Sequence, residues 1–289
     1  MVTGKKSKTG QRVAIGFLFT FSIIWLFPIA WTLLQSLRPY GDVLKYGSVS
    51  WPQHLNLHNY WTALVQSEMW KYFINSFEVA IPAVLITLFL ASMVAFVVAR
   101  YSFKFNVALL MIFTAGNLLP AQLIFIPIFR IYLHIWVPTI INDNNVLYDT
   151  QLGLILINVA VQVGFATFVL SNYLKTIPKE ISESALVDGA SVWQHYVKVM
   201  LPLLRPALAS LGVLMTTWIY NDFFWSVVLL KTGAKRPITA ALSNLQGEFF
   251  TDYNLLAAGA VLAFIPTLAV FFTLRKQFVA GLTVGSTKG

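Results

Sequence analysis

Six stretches of this chain are apolar for long enough to cross a lipid bilayer, and five of them contain no Asp, Glu, Lys or Arg. They cover residues 13–37, 79–99, 105–129, 150–174, 206–230 and 253–274, and only the fifth carries a charge, Asp222. A helix needs about 20 residues to span the hydrocarbon at roughly 1.5 Å per residue. None of the six alternates with the period of a strand, and each exceeds the ~10 residues of a barrel strand, so each is read as a helix. Composition agrees: 57% of the 289 residues are hydrophobic and 11% charged, with a mean hydropathy of +0.71. A soluble domain keeps a polar exterior, which excludes a water-soluble enzyme and a free nucleic-acid binder. The expected fold class is an all-α integral membrane protein with six transmembrane helices.

The formal charge of +9 then reads as a topology signal. Six spans put the N-tail, the second and fourth loops and the C-tail on one side, where 13 Lys and Arg fall, against 7 on the other. Basic residues resist translocation, so both termini are expected in the cytoplasm. The expected organisation is a cytoplasmic N-tail 1–12, a six-span membrane domain 13–275 and a cytoplasmic C-tail 276–289. Lys5, Lys6, Lys8 and Arg12 precede the first span, which is too long for a signal peptide and reads as an uncleaved anchor. No internal repeat is evident, which disfavours a fused two-half carrier. The absence of cysteine removes disulfides, thiolate nucleophiles and Cys-ligated zinc from consideration.

The first outer loop is rich in Trp51, His54, His58, Tyr60, Trp61 and Trp70, which suits an interfacial helix near 56–71. His54 and His58 have an i, i+4 spacing that zinc can use, but no acidic residue or third ligand accompanies them. The fourth loop, 175–205, is too long for a passive connector and lies on the cytoplasmic side. It reads as two short helices: one starting at Pro178 with Thr176 as its cap, and, after the break at Asp188-Gly189, a second carrying Trp193, Tyr196, Val197 and Met200. Pro202 and Pro206 are expected to end that second helix. This hairpin either rests on lipid headgroups or docks another protein. Ser184, Ala185, Gly189 and Ala190 are small enough for close approach, and Glu183 and Asp188 offer carboxylates.

The run Ile-Pro-Lys-Glu-Ile-Ser-Glu-Ser-Ala-Leu-Val-Asp-Gly-Ala at 177–190, followed by Leu201-Pro202 and Pro206, resembles the cytoplasmic signature loop of binding-protein-dependent ABC importer permeases. That family reads Glu-Ala-Ala, three residues, Gly; here Ser184 replaces the first Ala. The segment Trp218–Trp225 resembles carbohydrate permeases, with Tyr220 and Ser226 as departures from Trp and Pro. The tail 278–289 and the Asn75-Ser76 pair resemble the maltose-importer G-subunit group. The resemblance implies a type I ABC importer architecture with a cytoplasmic coupling-helix hairpin, in the bacterial inner membrane. It also implies ATPase-coupling roles for Glu183, Ser184, Ala185, Asp188, Gly189 and Ala190.

No Gly-x-x-x-x-Gly-Lys-Ser/Thr run is present, so the chain is expected not to be an enzyme and to hold no cofactor, with ATP and Mg²⁺ in a partner. The implied partners are two ATP-binding cassette subunits, a homologous larger permease, an extracytoplasmic solute-binding protein, and a sugar or oligosaccharide substrate. A proton- or sodium-coupled carrier is the alternative, resting on Asp222 and Glu78 as ionisable groups in or beside spans. An intramembrane hydrolase lacks its motifs: the uncharged spans hold no His, and no His-Glu-x-x-His or Gly-x-Ser-x-Gly run occurs.

Candidate substrate-path residues are Asn221, Asp222, Trp225 (whose ring would stack on a sugar) and Gln122; Asp222 alternatively hydrogen-bonds neighbouring helices or sits near the outer interface. Asn158 and Gln162 are amides that either meet hydroxyls or join helices. The loop 231–254 is either an ordinary solvated connector or, as the resemblance to sugar importers implies, a contact for the binding protein through a tip at 245–250, including Leu245, Gln246, Gly247 and Glu248. Pro82, Pro120, Pro127 and Pro266 interrupt spans and mark kinks.

Overall fold

A computed structural model describes residues 8–101, 104–116, 120–245 and 251–283. Thirteen α-helices lie among them. In order they are α1 (Lys8–Ser36), α2 (Tyr40–Tyr46), α3 (His58–Trp61), α4 (Met69–Arg100), α5 (Asn106–Gly116), α6 (Ala121–His134) and α7 (Gln151–Thr176). There follow α8 (Glu180–Val187), α9 (Val192–Gln194), α10 (Leu201–Tyr220), α11 (Phe224–Leu229), α12 (Ile238–Ala241) and α13 (Tyr253–Thr283). Five helices are long and apolar enough to cross a membrane. There are six if α5 and α6, whose axes meet at 95°, form one broken span.

The helices α1, α4, α7 and α13 are longer than the charge-free stretches they overlap. α4 begins at Met69, ten residues before its uncharged run, because Lys71 and Glu78 are tolerated where a helix emerges into the interface. The third expected span, 105–129, is instead two helices. Residues 117–119 lie outside the described ones, and Pro120, with extended ψ of 134°, stands immediately before α6. The fifth, 206–230, is also interrupted: α10 ends at Tyr220 and α11 starts at Phe224. Pro82, Pro127, Pro206 and Pro266 lie inside helices without ending them.

The chain divides into two compact units. The first comprises residues 1–69 and 242–264 and is organised around the C-terminus of α1. Arg38 is wholly buried there and donates to the carbonyls of Asp42, Gly47 and Ser48 and to Ser50 Oγ. Its own carbonyl accepts from the amides of Asn59 and Asn254. The Asp42 carboxylate accepts from the backbone N–H of Gln53 and His54 and pairs with His54 Nδ1 at 2.9 Å. That bond to His54 holds the Asp42 carboxyl below its ordinary range, against an opposing effect of burial. The expected interfacial helix over 56–71 is broken. After α3 a wide π-turn runs to Gln66, and Glu68 adopts φ +52° before α4 begins.

The second unit, residues 70–241 and 265–289, holds the core that α4, α7 and α10 build. One face of α4 carries Ala80, Ala83, Thr87, Ala91 and Ala95, all essentially inaccessible. Small side chains at this spacing let helices approach closely in a membrane, where apolar burial supplies little net attraction. α7 packs on α5, α10 and α11. Its N-terminus is capped by Thr150, whose hydroxyl accepts from the Gly153 amide. Gly153 is required there: a Cβ would sit 2.9 Å from both the Leu147 carbonyl and the Tyr132 ring.

Candidate functional site

The loop between α7 and α10 forms a hairpin whose turns are built from backbone hydrogen bonds. α8 carries Glu180 and Glu183 in its first turn, where carboxylates favour the positive end of the helix dipole. Thr176 does not cap this helix. It is the last residue of α7, and its hydroxyl donates to the Tyr173 carbonyl because the chain turns extended at Ile177 before Pro178. α8 stops at Gly189, which adopts φ +77°. The Gly189 N–H bonds to the Leu186 carbonyl and the Ala190 N–H to the Ala185 carbonyl, the paired closure of a Schellman motif.

Ser191 then opens α9 with a capping box. Its hydroxyl accepts from the Gln194 N–H, and the Gln194 side-chain oxygen accepts from the Ser191 N–H. The Ser-x-x-Gln spacing announces this box in the sequence, and the reading by apolar stripe overlooked it. The second helix does not end at Pro202 and Pro206. A π-turn over His195–Met200 leads straight into α10, with Pro202 in its first turn, where a missing N–H costs little.

Of the expected docking residues, Glu183, Ser184, Asp188 and Gly189 are exposed, and Ala185 and Ala190 half-buried. Beside them Val187 is 87% and Trp193 58% exposed, joined by Leu186 and Val192. Apolar side chains are thus exposed on a polar, tightly capped hairpin. The hairpin's root is fastened to α4. Tyr196 is 2.7 Å from Ser92, and the Phe96 ring lies 5.1 Å from His195 and 5.4 Å from Tyr196. Arg100 donates to the Ile177 carbonyl.

The break between α10 and α11 brings together the acidic and amide residues. One Asp222 carboxylate oxygen accepts from the Trp225 N–H at 3.2 Å, an orphan amide of the α11 first turn, and the other lies 3.5 Å from Asn158 Nδ2. Its carbonyl accepts from Ser226 and Thr239. Asp222 therefore caps a helix start. Asn221 is exposed and donates to the Thr217 carbonyl and to Thr267 Oγ1. Gln122 is exposed on the first turn of α6. Trp225, expected to offer its ring to a sugar, is only 5% exposed. It packs inward because α11 turns that face onto the core, so it backs this region and does not line it. Glu78 is exposed on α4.

Close to Asp222, whose carbonyl holds Thr239, Asn75 donates to the Ala234 and Arg236 carbonyls, and Ser76 Oγ accepts from the Ile238 N–H. Asp149, at φ +61°, accepts from the Thr232 N–H and hydroxyl and pairs with Lys235. Its partial burial acts to raise its pKa, but these bonds outweigh that effect and hold the carboxyl below its ordinary value. Of the expected tip, Gln246, Gly247 and Glu248 lie outside the described residues. Leu245 packs against Gly259, in the first unit. His54 is occupied by Asp42, and the described residues contain no cluster of three or more metal-ligating His, Cys, Asp or Glu.

The family model for the binding-protein-dependent transport system inner membrane component matches residues 87–284. An osmoprotective compounds uptake permease protein of Synechocystis sp. is 34% identical over 294 residues, spanning 99% of this chain and 95% of that protein. An arabinooligosaccharides transport system permease protein of Bacillus subtilis is 28% identical, spanning 96% of each. The fold matches a chain of a bacterial ABC transporter involved in import of the acidic polysaccharide alginate. The TM-score is 0.78 at 21% identity, covering 95% of this chain and 98% of that one. The chain belongs to the family of binding-protein-dependent transport system inner membrane components and is a permease subunit of an ABC importer.

Proposed function

We propose that this subunit imports a neutral sugar or short oligosaccharide, forms half of the translocation path, and receives its energy from separate ATPase subunits through the 183–190 turn. The observation that carries the coupling role is the hairpin. Two capping motifs fix its shape, its tip exposes Val187 and Trp193, and its root is fastened to α4. Glu183, Ser184, Ala185, Asp188, Gly189 and Ala190 form the docking turn, and ATP with Mg²⁺ binds in the partner. The substrate class is supported by relatives named for arabinooligosaccharides, diacetylchitobiose and α-glucosides, although one solved neighbour handles an acidic polysaccharide.

In this reading both termini are cytoplasmic, Asn221, Asp222 and Gln122 face the path, and the 245–250 segment meets the solute-binding protein. Asp222 is a helix cap and not an ion-coupling group. A homologous larger permease completes the path, since six spans enclose only half of it.

The test is purification of the tagged chain with its co-expressed neighbours, followed by uptake into proteoliposomes of radiolabelled arabinobiose, diacetylchitobiose and maltose. Copurification of an ATPase and ATP-dependent accumulation of one of these sugars are expected. Uptake driven by a proton or sodium gradient, with no ATPase bound, overturns the proposal.

A further inference from the structure

Coupling through the hairpin leaves open where its displacement enters the membrane domain. The direct covalent route is α10, which continues from the hairpin. The structure holds a second, non-covalent route. Ser92 lies 104 residues before Tyr196 in the chain, and both are almost completely buried. The Ser92 hydroxyl also lies 2.8 Å from the Phe89 carbonyl. A hydroxyl has one proton, so Ser92 donates to Phe89 and the Tyr196 hydroxyl donates to Ser92. Phe96, one turn further along α4, contacts both the His195 and Tyr196 rings.

The π-turn over His195–Met200 explains how two consecutive residues both reach α4. An ordinary α-helix turns them about 100° apart, and the wider π-turn narrows that angle, so both fall on one face. His195 is 1% exposed and neither ring nitrogen has a hydrogen-bond partner among the described residues, so it is held as an apolar wedge. A local distortion that buries an unpaired imidazole is costly. Its evident gain is the double contact with α4.

We propose that Tyr196 is a positioning residue for transport, and that its bond to Ser92, with the Phe96–His195 contact, makes α4 move with the hairpin as one body when the ATPases close. This deepens the reading above and rests on it. Without the bond, hairpin displacement is carried by α10 alone, and sugar moved per ATP falls.

The chain lacks cysteine, so a spin-label pair can be placed at Val97→Cys and Lys198→Cys, both exposed, in the assembled complex in nanodiscs. With the Tyr196 hydroxyl present, the label–label distance is expected to be the same with and without ATP and vanadate. In Tyr196→Phe, which keeps the ring contacts, it changes on trapping. In proteoliposomes Tyr196→Phe is expected to lower sugar accumulated per ATP hydrolysed about five- to tenfold, the equivalent of one lost buried hydrogen bond. Ser92→Ala should do the same, Ser92→Thr should restore the wild-type ratio, and the Ser92→Ala/Tyr196→Phe pair should be no worse than either single change.

A purely structural bond lowers abundance, uptake and ATP hydrolysis together and leaves the ratio and the trapped distance unaltered. That result overturns the proposal. If the wild-type complex itself neither binds an ATPase nor accumulates arabinobiose, diacetylchitobiose or maltose, the functional reading fails before the latch is tested.

Discussion

Gly189 shows what one backbone angle does for this protein. Its φ of +77° lies where a Cβ clashes with the following carbonyl, at about 1–2 kcal/mol for an ordinary residue. Open space surrounds the position, so the constraint is conformational and not steric crowding. Asn tolerates this region better than Ala, and Arg adds a bulky cation on the proposed docking face. Uptake by the assembled transporter should therefore rank wild type, Gly189→Asn, Gly189→Ala and Gly189→Arg. The arginine variant should be inactive at unchanged abundance in the membrane, measured by radiolabelled uptake beside quantitative immunoblotting. An arginine variant that transports normally removes the docking role. This glycine was legible in the sequence because Asp-Gly after a helical run is a stop signal. The bond from the Trp225 amide to Asp222 was not legible. An acid inside an apolar stretch suggests a functional charge, and only the backbone reveals a helix start with an amide to satisfy.

The helices were legible as charge-free runs, but their ends and breaks were not. Hydropathy reports what lipid will cover, whereas helix boundaries depend on caps and prolines, so α4 outruns its apolar stretch and the fifth span splits at Asn221–Phe223. The contacts that tie loops to elements were equally hidden. Asn75 and Ser76 looked like a family trait. The structure shows them closing the 234–238 segment onto α4, with Asp149 closing the same loop onto the start of α7. Because the folded-state pKa of Asp149 is depressed, its contribution to stability is present above its unfolded value near 4 and is lost as pH falls through the folded value. Asp149→Asn should thus lower thermal stability most at neutral pH, by roughly 1 kcal/mol of charge-assisted bonding, and progressively less as pH falls below about 4. Paired melting curves from pH 7 down to 3 check this. A difference that does not change with pH would show that the ionised carboxylate contributes nothing.

At the scale of the molecule, α1 stands apart, since none of its most apolar 18-residue window is buried within the chain. Lipid alone can cover such a helix, so exposure does not by itself demand a partner. Gly16 supplies the further argument. A glycine in mid-helix costs about 1 kcal/mol relative to alanine, and among the described residues nothing beyond its own stretch of helix lies within 4 Å of where its Cβ would be. Phe17, Phe21 and Phe27 are likewise large and exposed, whereas Trp31, toward the end of the helix, packs edge-on against Trp51. A helix that faces only lipid gains from replacing that glycine. One that packs on a second permease through it is spoiled by a large side chain, because close helix approach in membranes depends on small residues. Gly16→Leu should accordingly insert as well as wild type or better, yet copurify with less of the proposed larger permease and so with less of the proposed ATPase. Gly16→Ala should lie between them. Equal recovery of the partner with all three chains would place this face of α1 in lipid and require the two permeases to meet elsewhere.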